Sequence, residues 1–354
     1  MKSQMSKTLK ALSIIPMMLL AAPVVAQQAY QLSKVPFYNS ESSNSFGLTL
    51  NNAGYVSTTE SIGFRNQIKV VMDGSGNFQV VPFHNLYDVN NSGVTVGSQG
   101  GWAHYFEDGQ AIPIAGQEAA LAINDAKQIL GTGWIPGISS ASLFDQGILH
   151  DIEQDVIAAA GYTPPGGLTY FSENVYGHGL NASGVVVGRY NRREDSSVTT
   201  TLSLAFSWKD GVVTFLDGLG GVNSIATDIN DAGQIVGYAE KASGGGSIVI
   251  WNNGVPFDTG FEYGNAMYNI DQHFRINNEG VVMGKEFIYS NGVYLENNDL
   301  LSAEEKAPPF NSMTLEDIND RGQILATILY TDWNQSPYLI EYRAVLLTPF
   351  SACQ

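Results

Sequence analysis

A short motif that recurs seven times constrains the fold of this 354-residue chain more than any other feature. Each copy has an apolar residue, an asparagine, two variable residues and usually a glycine, followed by an apolar run. The asparagines of this motif, which we call the Asn box, are Asn51, Asn90, Asn124, Asn181, Asn230, Asn277 and Asn319. Their mean separation is about 45 residues, the length of a four-stranded propeller blade. The chain therefore repeats one β-rich unit seven times.

The composition of the Asn box predicts a hairpin turn. Asn and Asp hydrogen-bond their own backbone, and Gly supplies the positive φ that closes a tight turn. A second hairpin, aromatic-x-x-Gly, follows in most repeats, as at residues 208–211. One unit is then four strands, a to d, with the Asn box between a and b and the second hairpin between c and d. Calcium binding by these Asp-rich turns is an alternative, but the ligand spacing of a calcium loop is missing.

The two ends of the chain complete one ring. After the seventh box come a strand b (323–329) and a strand c (343–349), and no strand d follows. Residues 29–35, ahead of the first box, provide the missing strand. Closure of the ring by this N-terminal strand would leave no exposed sheet edge. We predict an all-β fold, a seven-bladed β-propeller that forms a single domain over residues 27–354.

The first 26 residues have the pattern of a secretory signal. Three lysines precede an apolar run that ends in small residues before Gln27. A membrane anchor is the alternative, but the run is short for a spanning helix and polar residues follow it. We expect cleavage after Ala26 and a secreted or periplasmic monomer without a membrane span.

Charge and composition exclude several classes of function. The formal net charge of −17 excludes a generic nucleic-acid binder, which needs a basic surface. The single cysteine, Cys353, excludes an internal disulfide and a cysteine-based zinc site. The five histidines lack metal-ligating spacing, so we expect neither a metal nor a cofactor.

The insertions between strands fall on one face of the predicted ring. The b–c loops and d–a connections share the face opposite the Asn boxes, which we call the loop face. The longest insertions belong to blades three and four: 132–140, 149–174 with a short predicted helix at 152–160, and 189–201. Long loops on a rigid ring are the expected functional surface.

Polar side chains concentrate around blade four. Two further candidates are histidines of blade two. The full set of candidate site residues is His84, His104, Tyr176, His178, Arg189, Tyr190, Arg192 and Arg193. Arginine binds a carboxylate or sulfate through its planar fork, so the set predicts an anionic ligand. A structural role, in a solvated loop or at a packing position, is the alternative for each residue alone.

Two resemblances extend this interpretation. The run that reads AFSWKDG, LDGLGG and INDAGQIVG between residues 205 and 237 resembles the HAF-type bacterial extracellular repeat. The resemblance covers nearly the whole mature chain and departs from the pattern at residues 55–57 and at Lys127. It implies secretion and repetition, and it carries no information about activity.

The order and spacing of His84, His104, Tyr176 and Arg192 are similar to the arrangement in seven-bladed propeller ulvan lyases. This resemblance implies cleavage of an anionic, uronic-acid polysaccharide by β-elimination. That reaction needs a neutralised carboxylate, a base for the C5 proton and an acid for O4. The resemblance implies Arg192 and His84 at the carboxylate, Tyr176 as base and acid, and His104 as its partner. The alternative is a non-catalytic propeller that binds glycan or protein on its loop face.

Three aspartates precede a box asparagine by two residues: Asp88, Asp228 and Asp317. As carboxylates at one position of a ring they could line a cation-attracting channel. We favour the alternative that they hydrogen-bond one repeat to the next.

Overall fold

The computed structural model describes residues 30–35, 48–61, 67–135, 138–163, 172–193, 202–262, 274–332 and 339–349. They form seven four-stranded antiparallel sheets, which confirms the predicted seven-bladed β-propeller. The predicted signal segment, residues 1–26, lies outside the described residues. No helix within the described ranges is long and apolar enough to cross a membrane.

Each blade follows the predicted order from the innermost strand a to the outermost strand d. Blade one and the strand before it comprise β1 Tyr30–Lys34, β2 Thr49–Leu50, β3 Val56–Ser61, β4 Gln67–Met72 and β5 Phe78–Val81. Blades two and three comprise β6 Asn85–Val89, β7 Thr95–Gln99, β8 Trp102–Glu107, β9 Gln110–Pro113, β10 Ala119–Ile123, β11 Ile129–Ile135, β12 Ile138–Asp145 and β13 Ile148–Asp151. Helix α1, Ile152–Ala160, joins blade three to blade four.

The second half of the ring has the same organisation. Blades four and five comprise β14 Ser172–Leu180, β15 Val186–Arg193, β16 Leu202–Lys209, β17 Val212–Phe215, β18 Gly220–Ile229, β19 Ile235–Lys241, β20 Gly246–Asn252 and β21 Val255–Glu262. Blades six and seven comprise β22 Arg275–Ile276, β23 Val282–Gly284, β24 Phe287–Ser290, β25 Val293–Glu296, β26 Phe310–Ile318, β27 Ile324–Asp332 and β28 Leu339–Pro349.

The N-terminal strand closes the ring, as the sequence predicted. β1 pairs antiparallel with β28, from Tyr30 opposite Pro349 to Lys34 opposite Val345. It is therefore strand d of blade seven, the blade whose other strands come from the C-terminal end of the chain. Tyr30 anchors the strand in the core cluster of this blade.

A closed circle of hydrogen bonds joins the Asn boxes of all seven blades. Within a box the asparagine Oδ1 accepts from the backbone two and four residues on, as Asn181 does from Val185 at 2.9 Å. Its Nδ2 donates to the carbonyl of the next box asparagine, as Asn181 does to Asn230 at 3.2 Å. The same bond recurs around the ring and ends with Asn319 donating to Asn51. Asparagine is required because it is both an acceptor for its own turn and a donor to the next blade.

The c–d hairpins have the backbone that the aromatic-x-x-Gly pattern predicted. In blade four, φ is 49° at Asp210 and 82° at Gly211. Positive φ at both central residues defines the type I′ turn, which matches the twist of the flanking strands. The same pair of angles recurs in blades two, three, five and six, at residues 108–109, 146–147, 253–254 and 291–292.

Helix α1 has the predicted limits but a different environment from the one expected. Asp151 caps its first turn by accepting from Gln154 N–H at 3.0 Å. Ile152 and Val156 are fully buried in the apolar cluster between blades three and four. The helix therefore fills the groove between two blades instead of standing on the loop face.

Two insertions that we expected to be loops lengthen hairpins instead. In blade three, β11 continues to Ile135 and β12 begins at Ile138, within the segment predicted as a loop at 132–140. In blade four, β15 continues to Arg193, so the first residues of the predicted 189–201 loop are strand. Residues 194–201 lie outside the described residues.

Candidate functional site

An arginine, a tyrosine and a histidine form a column on the inner strands of blade four. Tyr176 on strand a lies opposite Arg189 on strand b, so both side chains leave the sheet on the same face. The Arg189 guanidinium carbon lies 4.6 Å from the centre of the Tyr176 ring. Tyr176 also stacks on His178, with ring centres 6.5 Å apart and 14° between the planes.

His178 is the inner end of this column and is uncharged at neutral pH. Burial, with the Arg189 and Arg275 charges nearby, lowers the pKa of His178 to about 3. Its Nε2 is buried and has no hydrogen-bond partner among the described residues. His178 therefore supports Tyr176 as a neutral aromatic ring and does not supply the positive charge that an anion would need.

Arg192 lies on the other face of the same strand. It comes three positions after Arg189, and side chains alternate between the faces of a strand, so the two guanidinium groups point apart. Arg192 packs over the Tyr162 ring at 3.7 Å, just after α1, in the groove between blades three and four. The guanidinium beside Tyr176 is therefore that of Arg189, and the assignment of this position to Arg192 is corrected. Arg193 ends the strand opposite Ser172 and shares the face of Arg189.

Tyr190 belongs to the core. It is completely buried in the cluster between blades three and four, and its ring meets Phe215 edge to face. Its hydroxyl donates to the Glu173 carboxylate, and burial together with this bond raises the pKa of Tyr190. Its phenol packs and anchors the blade, so it is out of reach of a ligand, contrary to the binding role expected from the sequence.

The two histidines of blade two are held by the backbone of one turn in opposite tautomers. The Gly100 N–H donates to Nδ1 of His84 at 3.1 Å, so the proton of the neutral His84 ring is on Nε2. Nδ1 of His104 lies 3.0 Å from the Trp102 carbonyl oxygen, which can only accept. The neutral His104 ring therefore donates through Nδ1 and keeps a lone pair on Nε2. One imidazole offers a donor and the other an acceptor.

His84 lies near the level of Tyr176 and His104 is on strand c of its blade, and neither contacts Tyr176 among the described residues. His84 precedes its box asparagine by six residues and Tyr176 precedes its own by five, so the repeat places both at the loop-face mouth of the channel. In the described part of the chain, no hydrogen bond or ring contact joins His84 or His104 to Tyr176. A ligand would have to span the mouth from blade two to blade four to touch all three.

Deeper in the channel, four charged side chains share the position two residues before a box asparagine. They are Asp88, Asp228, Arg275 and Asp317. The Asp88 carboxylate accepts from the next residue's N–H at 2.7 Å and from Ile123 N–H of blade three at 2.9 Å. Asp228 and Asp317 make the same pair of bonds, which confirms that these aspartates join one repeat to the next.

Arg275 is the channel residue that our sequence interpretation missed. It occupies in blade six the position that aspartate occupies in three other blades, and its Nε lies 3.9 Å from Asp317. Burial raises the pKa of Asp88 to about 7 and that of Asp228 to about 6, although Arg275 and the backbone donors act against this. The sequence did contain a signal for Arg275. It stands two residues before a box asparagine, where three other blades have aspartate.

The opposite end of the channel is a polar cavity. It has a volume of about 210 Å³ and is lined by Asn-box residues of the blades together with Asp88 and Asp228. No group of three or more His, Cys, Asp or Glu within the described ranges is placed to hold a metal ion.

No protein-family model matches this chain, and no curated protein matches its sequence. Among solved structures, it is similar to the β-propeller domain of the Trilobed protease from Pyrococcus furiosus, with 11% identity over 87% of this chain and 94% of that one, at a TM-score of 0.50. It is also similar to the WD40 β-propeller domain of Doa1, with 10% identity over 92% and 98% of the two chains and a TM-score of 0.43. The six-bladed fungal lectin of Aleuria aurantia gives 8% identity over 86% and 95%, at a TM-score of 0.34. At 11% identity, the likeness to the first of these structures shows the propeller fold alone.

Proposed function

We propose that this protein binds a uronic-acid polysaccharide at the loop-face mouth of the channel and cleaves it by β-elimination. The observation that carries the proposal is the Arg189 guanidinium over the Tyr176 ring. This pair sets a carboxylate-binding cation beside a group that can exchange a proton. β-Elimination of a uronate requires these two functions at adjacent atoms of the sugar.

The proposed reaction uses groups on both sides of the mouth. Arg189 binds the uronate carboxylate and stabilises the negative charge that develops there as the C5 proton leaves. The Tyr176 phenolate takes that proton, the electron pair forms the C4–C5 double bond, and the C4–O4 bond breaks. The phenol then returns the proton to O4, so no external acid or oxidant is consumed. On the blade-two side, His84 Nε2–H can donate to an oxygen of another sugar unit of the same chain.

Binding without cleavage is the second candidate. It is favoured by one observation, that His84 and His104 make no contact with Tyr176 in the described residues. If a bound chain does not contact the blade-two histidines and Tyr176 at the same time, the mouth would bind an anionic chain without cleaving it.

Two readouts on one set of polymers separate these candidates. We would incubate the purified protein with ulvan, alginate and polygalacturonate, measure binding by calorimetry, and follow the absorbance of unsaturated uronate. We expect both binding and product with at least one polymer. The matched control is the same polymer with its carboxyl groups reduced, which should bind more weakly because Arg189 loses its anionic partner.

The outcomes are distinct. Binding without unsaturated product would leave the binding candidate in place and remove the lyase. Absence of binding to every polyuronate would contradict both.

A further inference from the structure

The b–c turn of blade two carries the most exposed aromatic ring among the described large apolar side chains. Trp102 is 59% exposed and belongs to none of the core clusters of the described residues. It begins β8, directly after Gly100 and Gly101, whose φ values are 62° and 84°. The two glycines close the turn, and the indole stands at its tip on the loop face.

The backbone around this indole is fixed by the two histidines. Gly100 donates to His84, and the Trp102 carbonyl accepts from His104, so each imidazole is tied to the turn. In the described part of the chain neither Nε2 has a protein partner. One Nε2 is a donor and the other an acceptor, and a sugar hydroxyl can both accept and donate a hydrogen bond. An aromatic face next to a donor and an acceptor is the chemistry that a neutral pyranose ring requires.

We propose that Trp102 is the platform of an outer sugar subsite, on which a pyranose ring stacks while His84 and His104 bond its hydroxyls. The axial C–H groups of the sugar face the electron-rich indole, a weak attraction added to the apolar area that is buried. The choice of a polysaccharide as the ligand rests on the proposed function. Stacking of a sugar ring on Trp102 does not require that the polysaccharide is cleaved.

The position of Trp102 in the blade determines which sugar it would contact. Trp102 is on strand c, two strand spacings or about 10 Å outward from the innermost strand of its blade. Tyr176 and Arg189 are on the inner strands of blade four. The outer subsite therefore binds a sugar unit some distance along the chain from the one at Tyr176, and its contribution depends on the length of the oligosaccharide.

The test compares oligosaccharides of increasing length on Trp102→Ala and on the conservative Trp102→Phe. We expect Trp102→Ala to weaken binding of long oligouronates about fivefold to tenfold, with no change for the shortest ones that bind. Trp102→Phe should recover most of the affinity, since a ring face remains. Phe78→Ala is the matched control, because Phe78 is 54% exposed on the outer strand of blade one, away from the mouth.

This test separates the subsite from the lyase. If wild type binds a glycan without cleaving it, the same loss of affinity on Trp102→Ala still supports the subsite. Wild-type affinity of Trp102→Ala for every glycan and every length would overturn it. Failure of wild type to bind any glycan, neutral ones included, would overturn it as well.

Discussion

At the scale of single residues, the charge of the channel depends on one position of the repeat. Asp88, Asp228 and Asp317 occupy it in three blades and Arg275 in a fourth. Three carboxylates face one guanidinium, so the group is negative when all four side chains are ionised. Burial raises the pKa of each of these carboxyls, because a charged form is poorly solvated there.

The pH dependence of stability follows from these shifts. The pKa of Asp88 rises from 3.8 to about 7 on folding, so the native state holds this proton more tightly than the unfolded state does. Its stabilising contribution is complete below pH 4 and is lost as the pH rises through 7. His178 acts in the opposite direction, but its folded pKa of about 3 restricts that effect to pH values below 6.5. We therefore expect the free energy of unfolding to fall between pH 6.5 and 8.

Denaturant melts at constant ionic strength would measure this slope. Asp88→Asn is the informative variant, because it removes one titrating group and should flatten the slope whatever its own stability. A residual slope is expected, since burial also raises the pKa of Glu153 in α1 to about 7. A free energy of unfolding that stays level or rises between pH 6.5 and 8 in the wild type would contradict the assignment.

At the scale of elements, the Asn box is both a turn and a connection between blades. In Asn181→Ala, the N–H groups of Ser183 and Val185 and the carbonyl of Asn230 lose their partner. Because Asn181 is buried, water replaces these bonds poorly. We expect a loss of about 2–4 kcal/mol in the free energy of unfolding, measured by thermal or denaturant melts.

The matched control is the residue that follows the box asparagine, taken from blade two, where it is Asn91. The Asn91 side chain donates to Asp125 of one neighbouring blade and accepts from Ala53 N–H of the other, both on the exposed surface. Asn91→Ala should cost less than about 1 kcal/mol, since water can take over. Blade four already carries alanine at this position, at Ala182. Equal losses for Asn181→Ala and Asn91→Ala would mean that the buried circle of asparagines does not stabilise the ring.

Elements were predictable where one local pattern dictates the backbone. The turn residues fixed the hairpins, and the spare N-terminal strand identified the closure of the ring. The faces of blade four were not predicted, because we took strand b to end before Arg189 when it continues to Arg193. In a loop, Arg189 and Arg192 could share one ligand, whereas in a strand alternation separates them.

At the scale of the whole molecule, the ring brings together residues that are far apart in the sequence. His84 and Tyr176 share the loop-face mouth because both precede a box asparagine by nearly the same number of residues. The repeat period therefore predicted that these two residues lie at a similar height along the channel. It could not predict which arginine accompanies Tyr176, nor that Tyr190 is a core residue, because both depend on packing between blades three and four.

The rate of unsaturated-uronate formation by site variants tests the proposed chemistry most directly. On a polymer that the wild type cleaves, Tyr176→Phe should lower kcat by about 10²–10⁴-fold and leave binding intact, because the hydroxyl acts mainly in the transition state. Arg189→Ala should lower both affinity and kcat, since the carboxylate is charged in the ground state and in the transition state. Arg192→Ala, on the far face over Tyr162, should have a much smaller effect. Full activity of Tyr176→Phe, or a larger loss in Arg192→Ala than in Arg189→Ala, would contradict the account.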